Sequence, residues 1–440
     1  MRVLVISHGH PAFSIGGAEM ASYNLFQGLN RLPGTEAFYL ARAAQPLARH
    51  RQTPLMSLRQ GARETFLWAD DYDHFLISNR ATDDLVGAFR RYLRDIRPDV
   101  VHFHHFIGLG VEALWEVRRT LPDARIVITF HEYLSICLHH GQMVKTQKKR
   151  LCSRASPAEC HGCFPDVLPA AIFERELFLK GHLNLADAFV SPSHFLIDRY
   201  VKWGLPAEKF TMLENGIDTA HVAPPRPLPA GGRRARFGFF GQVTEFKGVQ
   251  VLLDAVGRVP DAIWGEDAAL CIFGGNLENQ PAEFRKSFED LVEKAGRRAK
   301  FYGPYRAEEM PDLMRQVDWV VVPSIWWENS PLVIQEAFLH ARPLIASDIG
   351  GMREKVRDGV NGVHFRVGSA EDLADKLGGV LADPAAWERL RAGAPRPIGH
   401  EDAAEQHMAL YRSLGAGDQS LPVAALAAAK HVAAPTRNVP

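Results

Sequence analysis

Apolar and polar positions alternate along this chain in two recurring forms, short wholly apolar runs and longer amphipathic ones. Met1 to Ser7, Pro98 to His104, Arg125 to Phe130, Ala188 to Ser191 and Phe210 to Glu214 are short runs rich in β-branched and aromatic residues. Phe237 to Phe240, Leu270 to Gly275, Phe301 to Tyr305, Asp318 to Pro323, Pro343 to Asp348 and Asn361 to Phe365 continue the series. Such runs predict strands buried on both faces, as in parallel sheets. Between them, Glu19 to Asn30, Leu85 to Ile96, Gly110 to Thr120, Phe173 to Ala186, Val249 to Arg258, Phe284 to Ala295, Glu371 to Leu381 and Glu401 to Leu414 read as helices, with another starting at Ser193. Strand, helix, strand in regular succession predicts an α/β fold with parallel sheets. Only Arg42 to Arg80 lacks clean periodicity, and reads as a strand, loops and a variable excursion.

At 440 residues the chain exceeds one ordinary core. Pro224 to Gly232 is the clearest break, proline stiffness followed by glycine freedom. The expected organisation is a first Rossmann-like domain over 1–223 with a Cys-rich insertion at about 134–166, and a linker at 224–233. A second Rossmann-like domain over 234–397, a C-terminal helix over 398–415 and a mobile Ala/Pro-rich tail over 416–440 complete it. Composition adds exclusions. Lys plus Arg equals Asp plus Glu at 51 each, and no helix-turn-helix or RNA-binding pattern appears, so nucleic acid is not an expected partner. The apolar opening is far shorter than a signal or a membrane span, and no other run is long enough; a cytoplasmic protein is expected, with peripheral membrane contact the remaining route to lipid.

Candidate chemistry concentrates in Pro323-Ser324-Ile325-Trp326-Trp327-Glu328-Asn329-Ser330-Pro331-Leu332-Val333-Ile334-Gln335-Glu336. The spacing predicts Ser330 as N-cap and Pro331 as first residue of a helix. The free amides of that first turn would then point at an anion off the strand's end. Glu328 and Glu336, with seven residues between them, could face the same crevice. Two carboxylates at a phosphate would repel it, so each is expected to address neutral hydroxyls of a sugar or ribose.

Two glycine-bearing turns follow first strands: Gly16-Gly17-Ala18-Glu19 and Gly241-Gln242-Val243-Thr244-Glu245-Phe246-Lys247-Gly248. Paired glycines let a backbone amide approach a ligand closely, and Lys247 is placed to meet a phosphate. A tight turn and a surface lysine are the bland alternatives. His131-Glu132 lies just past a strand's carboxyl end, where open α/β sheets bind ligands. Asp70-Asp71-Tyr72-Asp73 could hold a divalent ion but reads first as a solvated loop. Arg90, Arg91, Arg94 and Arg97 on one helix could meet an anionic acceptor or lipid, though a solvated face is the simpler reading. Cys137, Cys152, Cys160 and Cys163 crowd one insertion without an evident core, and their spacing suits a structural zinc with four thiolates; free cysteines are the alternative.

With GGAE at 16–19, NGID at 215–218, VTEFKG at 243–248 and PSIWWENSPLVIQEA at 323–337, residues 1–415 resemble family 4 of the retaining glycosyltransferases. The resemblance implies a GT-B architecture, two Rossmann-like domains facing across a cleft, and transfer of a hexose from a nucleotide sugar, UDP- or GDP-linked, to a glycan or glycolipid acceptor. It further implies that Glu336 holds the ribose, Glu328 the sugar hydroxyls, Lys247 the diphosphate, Gly16 and Gly17 approach from the other domain, and His131 lies by the reacting carbon. No cofactor or catalytic metal is implied. Gln242 stands where the family often carries arginine, so the charge on the leaving group must be met by Lys247 and the helix start at Ser330, or by a borrowed cation such as Arg306. An epimerase of related fold and a non-catalytic sugar-nucleotide scaffold are the competing readings.

Overall fold

The computed structural model describes residues 1–13, 16–43, 53–57, 63–69, 71–79, 83–147 and 150–417. Asp70 and the expected tail beyond 417 lie outside them. Two sheets organise the chain. In the first half the strand order is Phe210–Met212, Ala188–Ser191, Arg125–Thr129, Val100–Phe103, Arg2–Ser7, Glu36–Ala43, Glu64–Trp68, Leu55–Met56. All neighbours in it run parallel except the last pair. In the second half it is Ala299–Gly303, Ala269–Phe273, Arg236–Phe240, Trp319–Val322, Leu344–Ser347, Gly362–Phe365, all parallel. The predicted strands are there, and they are wholly apolar for the expected reason: helices cover both faces, and Val3, Val100, Ile126, Phe237 and Val320 have no exposed surface.

Among its parallel strands each order reverses once, beside Arg2–Ser7 in the first sheet and beside Arg236–Phe240 in the second. Crevices at strand ends open at such reversals. The turns after Arg2–Ser7, Val100–Phe103 and Arg125–Thr129 therefore form one wall of a cleft, and those after Arg236–Phe240 and Trp319–Val322 the other.

Three features add to the sequence reading. The proline-rich segment is strapped down along its length: Arg226 pairs with the fully buried Asp318 (2.7 Å), and Arg342 Nη2 donates to Pro224 O (2.7 Å). The C-terminal helix His400–Ser413 returns to the first half and packs on Gly17–Arg31. Gly28 is needed there, because a Cβ would lie 2.3 Å from His400 O. Tyr411 then reaches the interior of the first sheet, its hydroxyl 2.7 Å from His102 Nδ1. Finally, the cysteine-bearing excursion has no core of its own, yet Ile136, Met143 and Cys152 bury into the first half's core. No helix among the described residues is long and apolar enough to cross a membrane.

Candidate functional site

The turn over 323–331 owes its position to glycines on neighbouring elements. Gly248 has φ +70° and lies against Pro323, where a Cβ would meet the carbonyl oxygen at 1.9 Å. Ile325 N donates to Phe246 O (2.9 Å), so the turns at 241–248 and 323–331 form one ledge. Below it, Gly351 N donates to Glu328 O (2.9 Å), and a Cβ on Gly351 would sit 1.4 Å from Asn329 O. Any larger residue at these glycines would lift the turn off its seat.

On that ledge Glu328 is buried and its Oε1 accepts three hydrogen bonds, from Lys247 Nζ (2.6 Å), Ser324 Oγ (2.8 Å) and Trp326 Nε1 (2.9 Å). Its Oε2 takes none of the hydrogen bonds found among the described residues, and is the oxygen left to accept from a ligand hydroxyl. Lys247 is thus held by a carboxylate on the same ledge. The helix begins later than the spacing predicts. Leu332–Leu339 is capped by Pro331 in extended conformation, without a side-chain bond to the first turn. Ser330 is not the N-cap, because its hydroxyl donates instead to Glu214 Oε1 (2.8 Å) in the first half. The amides of Leu332 and Val333 still open the helix without intrahelical partners. Glu336 follows one turn in, half-buried, and burial pushes its carboxyl up to about 7. Gln242 is exposed and accepts only a long bond from Asn276 Nδ2 (3.4 Å). The proposed substitute cation, Arg306, is exposed and pairs with Glu309 (3.6 Å).

The facing wall is built from histidines on three strand ends. His131 Nε2 lies 2.9 Å from His104 Nδ1, with the rings stacked. Burial pushes His131 down to about 4 and holds His104 well below the usual histidine range, so both rings are neutral and one N–H bridges them. His8 adds to the depression of His131 and stands 3.3 Å from Glu19. His105 Nδ1 accepts the Phe106 and Ile107 amides (3.0 and 3.1 Å), which places its proton on Nε2, 3.4 Å from Glu132 Oε1. Burial pushes Glu132 up to about 8. Glu19 Oε2 would lie 2.4 Å from a Cβ on Gly16. Gly17 begins its helix with nothing within 4 Å of a Cβ, leaving its backbone open to a ligand.

Asn329 and Glu214 join the walls. Asn329 Nδ2 donates to Phe130 O and His131 O (3.3 Å each), while its Oδ1 accepts from Ser193 Oγ. Lys355 of the second half binds Glu214 and Pro192 O, and Gln335 Nε2 reaches Asn215 O (2.9 Å). Glu354 accepts the amides of His194 and Phe195 (3.0 Å each), capping helix His194–Trp203 from across the cleft. Of the residues singled out in sequence, Lys247, Glu328, Asn329, Ser330 and His131 are brought into this connected set. His8, His104, His105, Glu214 and Lys355 were missed. Three of these are histidines at or just beyond the ends of predicted strands, a signal read only at His131.

Other candidates take structural roles. Asp73 Oδ1 accepts the amides of Phe75 and Leu76 (2.8 and 3.2 Å) and caps a turn. Arg90 pairs with Glu116. The four cysteines are free thiols, and no set of three His, Cys, Asp or Glu side chains that could hold an ion occurs among the described residues.

Two family models match the chain: glycosyltransferase family 4 over residues 15–221 and glycosyl transferases group 1 over 234–383. The D-inositol 3-phosphate glycosyltransferase of Xylanimonas cellulosilytica is 31% identical over 331 residues, covering 71% of each chain. That of Corynebacterium urealyticum is 26% identical over 438 residues, covering 94% of this chain and 96% of its own. Among solved structures, sucrose-phosphate synthase from Thermosynechococcus elongatus superposes with a TM-score of 0.71 at 20% identity, over 95% of this chain and all of that one. Anabaena HepE in complex with UDP and glucose superposes with a TM-score of 0.65 at 18% identity, over 94% and 100%. Two sheets facing across a cleft, each half matched by its own model, place this chain among the family 4 glycosyltransferases of GT-B architecture.

Proposed function

We propose that the protein moves a hexose from a nucleotide-diphosphate sugar to an acceptor hydroxyl with retention at the anomeric carbon, without a catalytic metal. The observation that carries this reading is the Lys247–Glu328 pair on the donor ledge, tied through Asn329 to the backbone of His131 on the opposite wall. A bound donor would draw Lys247 from Glu328 onto the diphosphate, with the Leu332 and Val333 amides adding donors to the same charge. Glu328 Oε2 would accept a sugar hydroxyl, and Glu336 the ribose hydroxyls. As the bond from the anomeric carbon to the diphosphate oxygen breaks, the acceptor oxygen bonds to the same face of that carbon. The acceptor's proton passes to the departing diphosphate, and His131 packs beside the reacting carbon as a neutral hydrogen-bonding group.

HepE was crystallised with UDP and glucose, which favours UDP-hexose as the donor to try first. The acceptor reading remains a lipid-linked or glycan hydroxyl. Phe173 and Leu177, one turn apart on Pro169–Leu183 and about half exposed, form with Leu168 an apolar face on the acceptor half that suits a membrane-borne substrate and peripheral membrane contact. The test is transfer from UDP- and GDP-hexoses to a panel containing a polyprenyl-diphosphate-linked sugar, an oligosaccharide and inositol 3-phosphate, with NMR assignment of the product anomer. An inverted product would overturn the mechanism. Transfer to inositol 3-phosphate alone would overturn the acceptor reading, and epimerised donor without transfer would replace the whole. Stimulation by added Mg²⁺ or Mn²⁺ would contradict metal independence.

A further inference from the structure

The face of the first sheet that helix His400–Ser413 covers carries a column of polar side chains among apolar ones such as Val100, Val127, Ala404 and Met408. Residues two apart in a strand share a face. His102 and His104 therefore stand together on Val100–Phe103 and its end, with Thr129 and His131 on the same face of the neighbouring Arg125–Thr129. Burying polar groups there is costly unless they bond one another. They form two cross-strand rungs: His102 Nε2 lies 2.7 Å from Thr129 Oγ1, and His104 Nδ1 lies 2.9 Å from His131 Nε2. The His102 and His104 rings lie 4.4 Å apart, so one rung sits on the other. At the foot of the ladder the Tyr411 hydroxyl is 2.7 Å from His102 Nδ1. Tyr411, His102, Thr129 and His104 are buried, and of the five only His131 is partly exposed.

Burial keeps all three rings neutral, so each carries one proton. Both nitrogens of His102 are occupied, by Tyr411 and Thr129, and His104 Nε2 is left buried without a partner. An orphaned buried N–H is rarer than an under-satisfied acceptor, which puts the His104 proton on Nδ1, donated to His131 Nε2. The proton of His131 then sits on Nδ1, a nitrogen that takes none of the hydrogen bonds found among the described residues. We propose that Tyr411 is a positioning residue: through His102 and His104 it holds His131 in the tautomer that offers the cleft an N–H. Removing its hydroxyl would free His102 Nδ1 to accept the proton of His104 on Nε2. His104 Nδ1 would then accept from His131 Nε2, and His131 would offer the cleft a lone pair instead. An N–H there can donate to a sugar oxygen and cannot take the acceptor's proton, in keeping with passage of that proton to the departing diphosphate. The consequence for rate rests on the glycosyl-transfer reading, whereas the state of the His131 ring does not.

NMR of full-length protein carrying isotope-labelled histidine reads the ring without any substrate. The His131 signals, assigned by their absence in His131→Asn, should show a protonated Nδ1 and a bare Nε2 in the wild-type chain. Tyr411→Phe, which keeps the packing of the ring, should show a mixture of the two tautomers. With a nucleotide sugar, Tyr411→Phe should lose about 3- to 10-fold in kcat, the worth of one hydrogen bond, with donor KM changed by less than about twofold. His104→Leu removes the upper rung, so adding Tyr411→Phe to it should cost nothing further, whereas independent effects would multiply. Thr129→Ser, which retains the hydroxyl, should match the wild type. A wild-type His131 protonated on Nε2, ring signals unchanged in Tyr411→Phe, or losses that multiply in the double variant would each overturn the proposal. Should Tyr411→Phe fail to fold, the wild-type tautomer still decides the matter. A chain that transfers no hexose would overturn the transfer reading instead, and the ring signals would judge the ladder by themselves.

Discussion

The two walls of the cleft are built on different plans. The donor wall is local: Lys247 and the 323–336 segment lie on two turns at one reversal of strand order, and three of their polar groups converge on a single carboxylate oxygen of Glu328. The opposite wall is dispersed, with His8, His104, His105 and His131 arriving from three strand ends and meeting ring to ring. A local wall can be written in one stretch of sequence and holds its charge ready. A dispersed wall depends on the sheet to assemble it, and burial keeps His104, His105 and His131 uncharged.

That contrast is broken most directly at the donor wall. Lys247→Ala removes the ledge's cation and leaves Glu328 Oε1 with two donors instead of three. The expected loss in kcat is about 10²–10³-fold, the magnitude found when one preorganised donor to a developing anion is removed. Steady-state kinetics with a nucleotide sugar measure it, and a loss below about threefold would mean that another group carries the leaving charge. Gln242→Arg tests the same point from the other side, since it restores a cation on that turn; a fall in donor KM is expected.

On the histidine wall the effect should be smaller and of another kind. His104→Leu removes the partner of His131 Nε2 without touching the cleft surface directly. Losing a hydrogen bond inside a buried site costs about 1–3 kcal/mol, or roughly 5- to 150-fold. His104 acts through His131 as a positioning residue, so the loss should fall on kcat rather than donor KM, and His104→Asn should recover part of it. An unchanged kcat in His104→Leu would show the stacked pair to be packing alone.

How much of this was legible depends on the same contrast. The strands, their parallel pairing and the donor turn could be read because each is written within a few consecutive residues. Ser330 misled because N-cap preference is local whereas its real partner, Glu214, lies 116 residues away. A Cβ on Gly16 would lie 2.4 Å from Glu19 Oε2, a neighbour that the paired-glycine spacing does not reveal. The return of His400–Ser413 to the first half was invisible, since amphipathic spacing identifies a buried face without saying what covers it. Gly28, placed under His400, is the residue that records it. Gly28→Leu should therefore lower Tm sharply, overpacking of this kind costing about 1–3 kcal/mol, with donor affinity in the surviving fold little changed. A variant with unaltered thermal unfolding would mean that the helix can lift away freely.

The mildest test uses pH, to which Glu336 on one wall and His131 on the other respond in opposite directions. Burial raises Glu336 from its ordinary 4.5 to about 7, so between these values the folded protein holds a proton that the unfolded chain has released. Stability from this group is greatest at the acid end and declines as pH rises through that window. His131, lowered from 6.5 to about 4, acts conversely: between these values the unfolded chain binds the extra proton, and stability is lost as pH falls. Glu132 of the histidine wall, raised to about 8, shares the sign of Glu336 and must be held constant in the comparison. Glu336→Gln abolishes one contribution only. Its Tm relative to wild type should rise from pH 5 to pH 7.5, by about 2–4 °C for each kcal/mol of penalty relieved in a domain of this size. His131→Asn should shift the Tm difference in its own favour as the pH is lowered from 6.5 to 4.5. Parallel Tm profiles for wild type and Glu336→Gln would mean that the carboxyl is ionised throughout, and that the ribose proposed to bind there would meet an acceptor fixed in charge rather than one that a proton can turn into a donor.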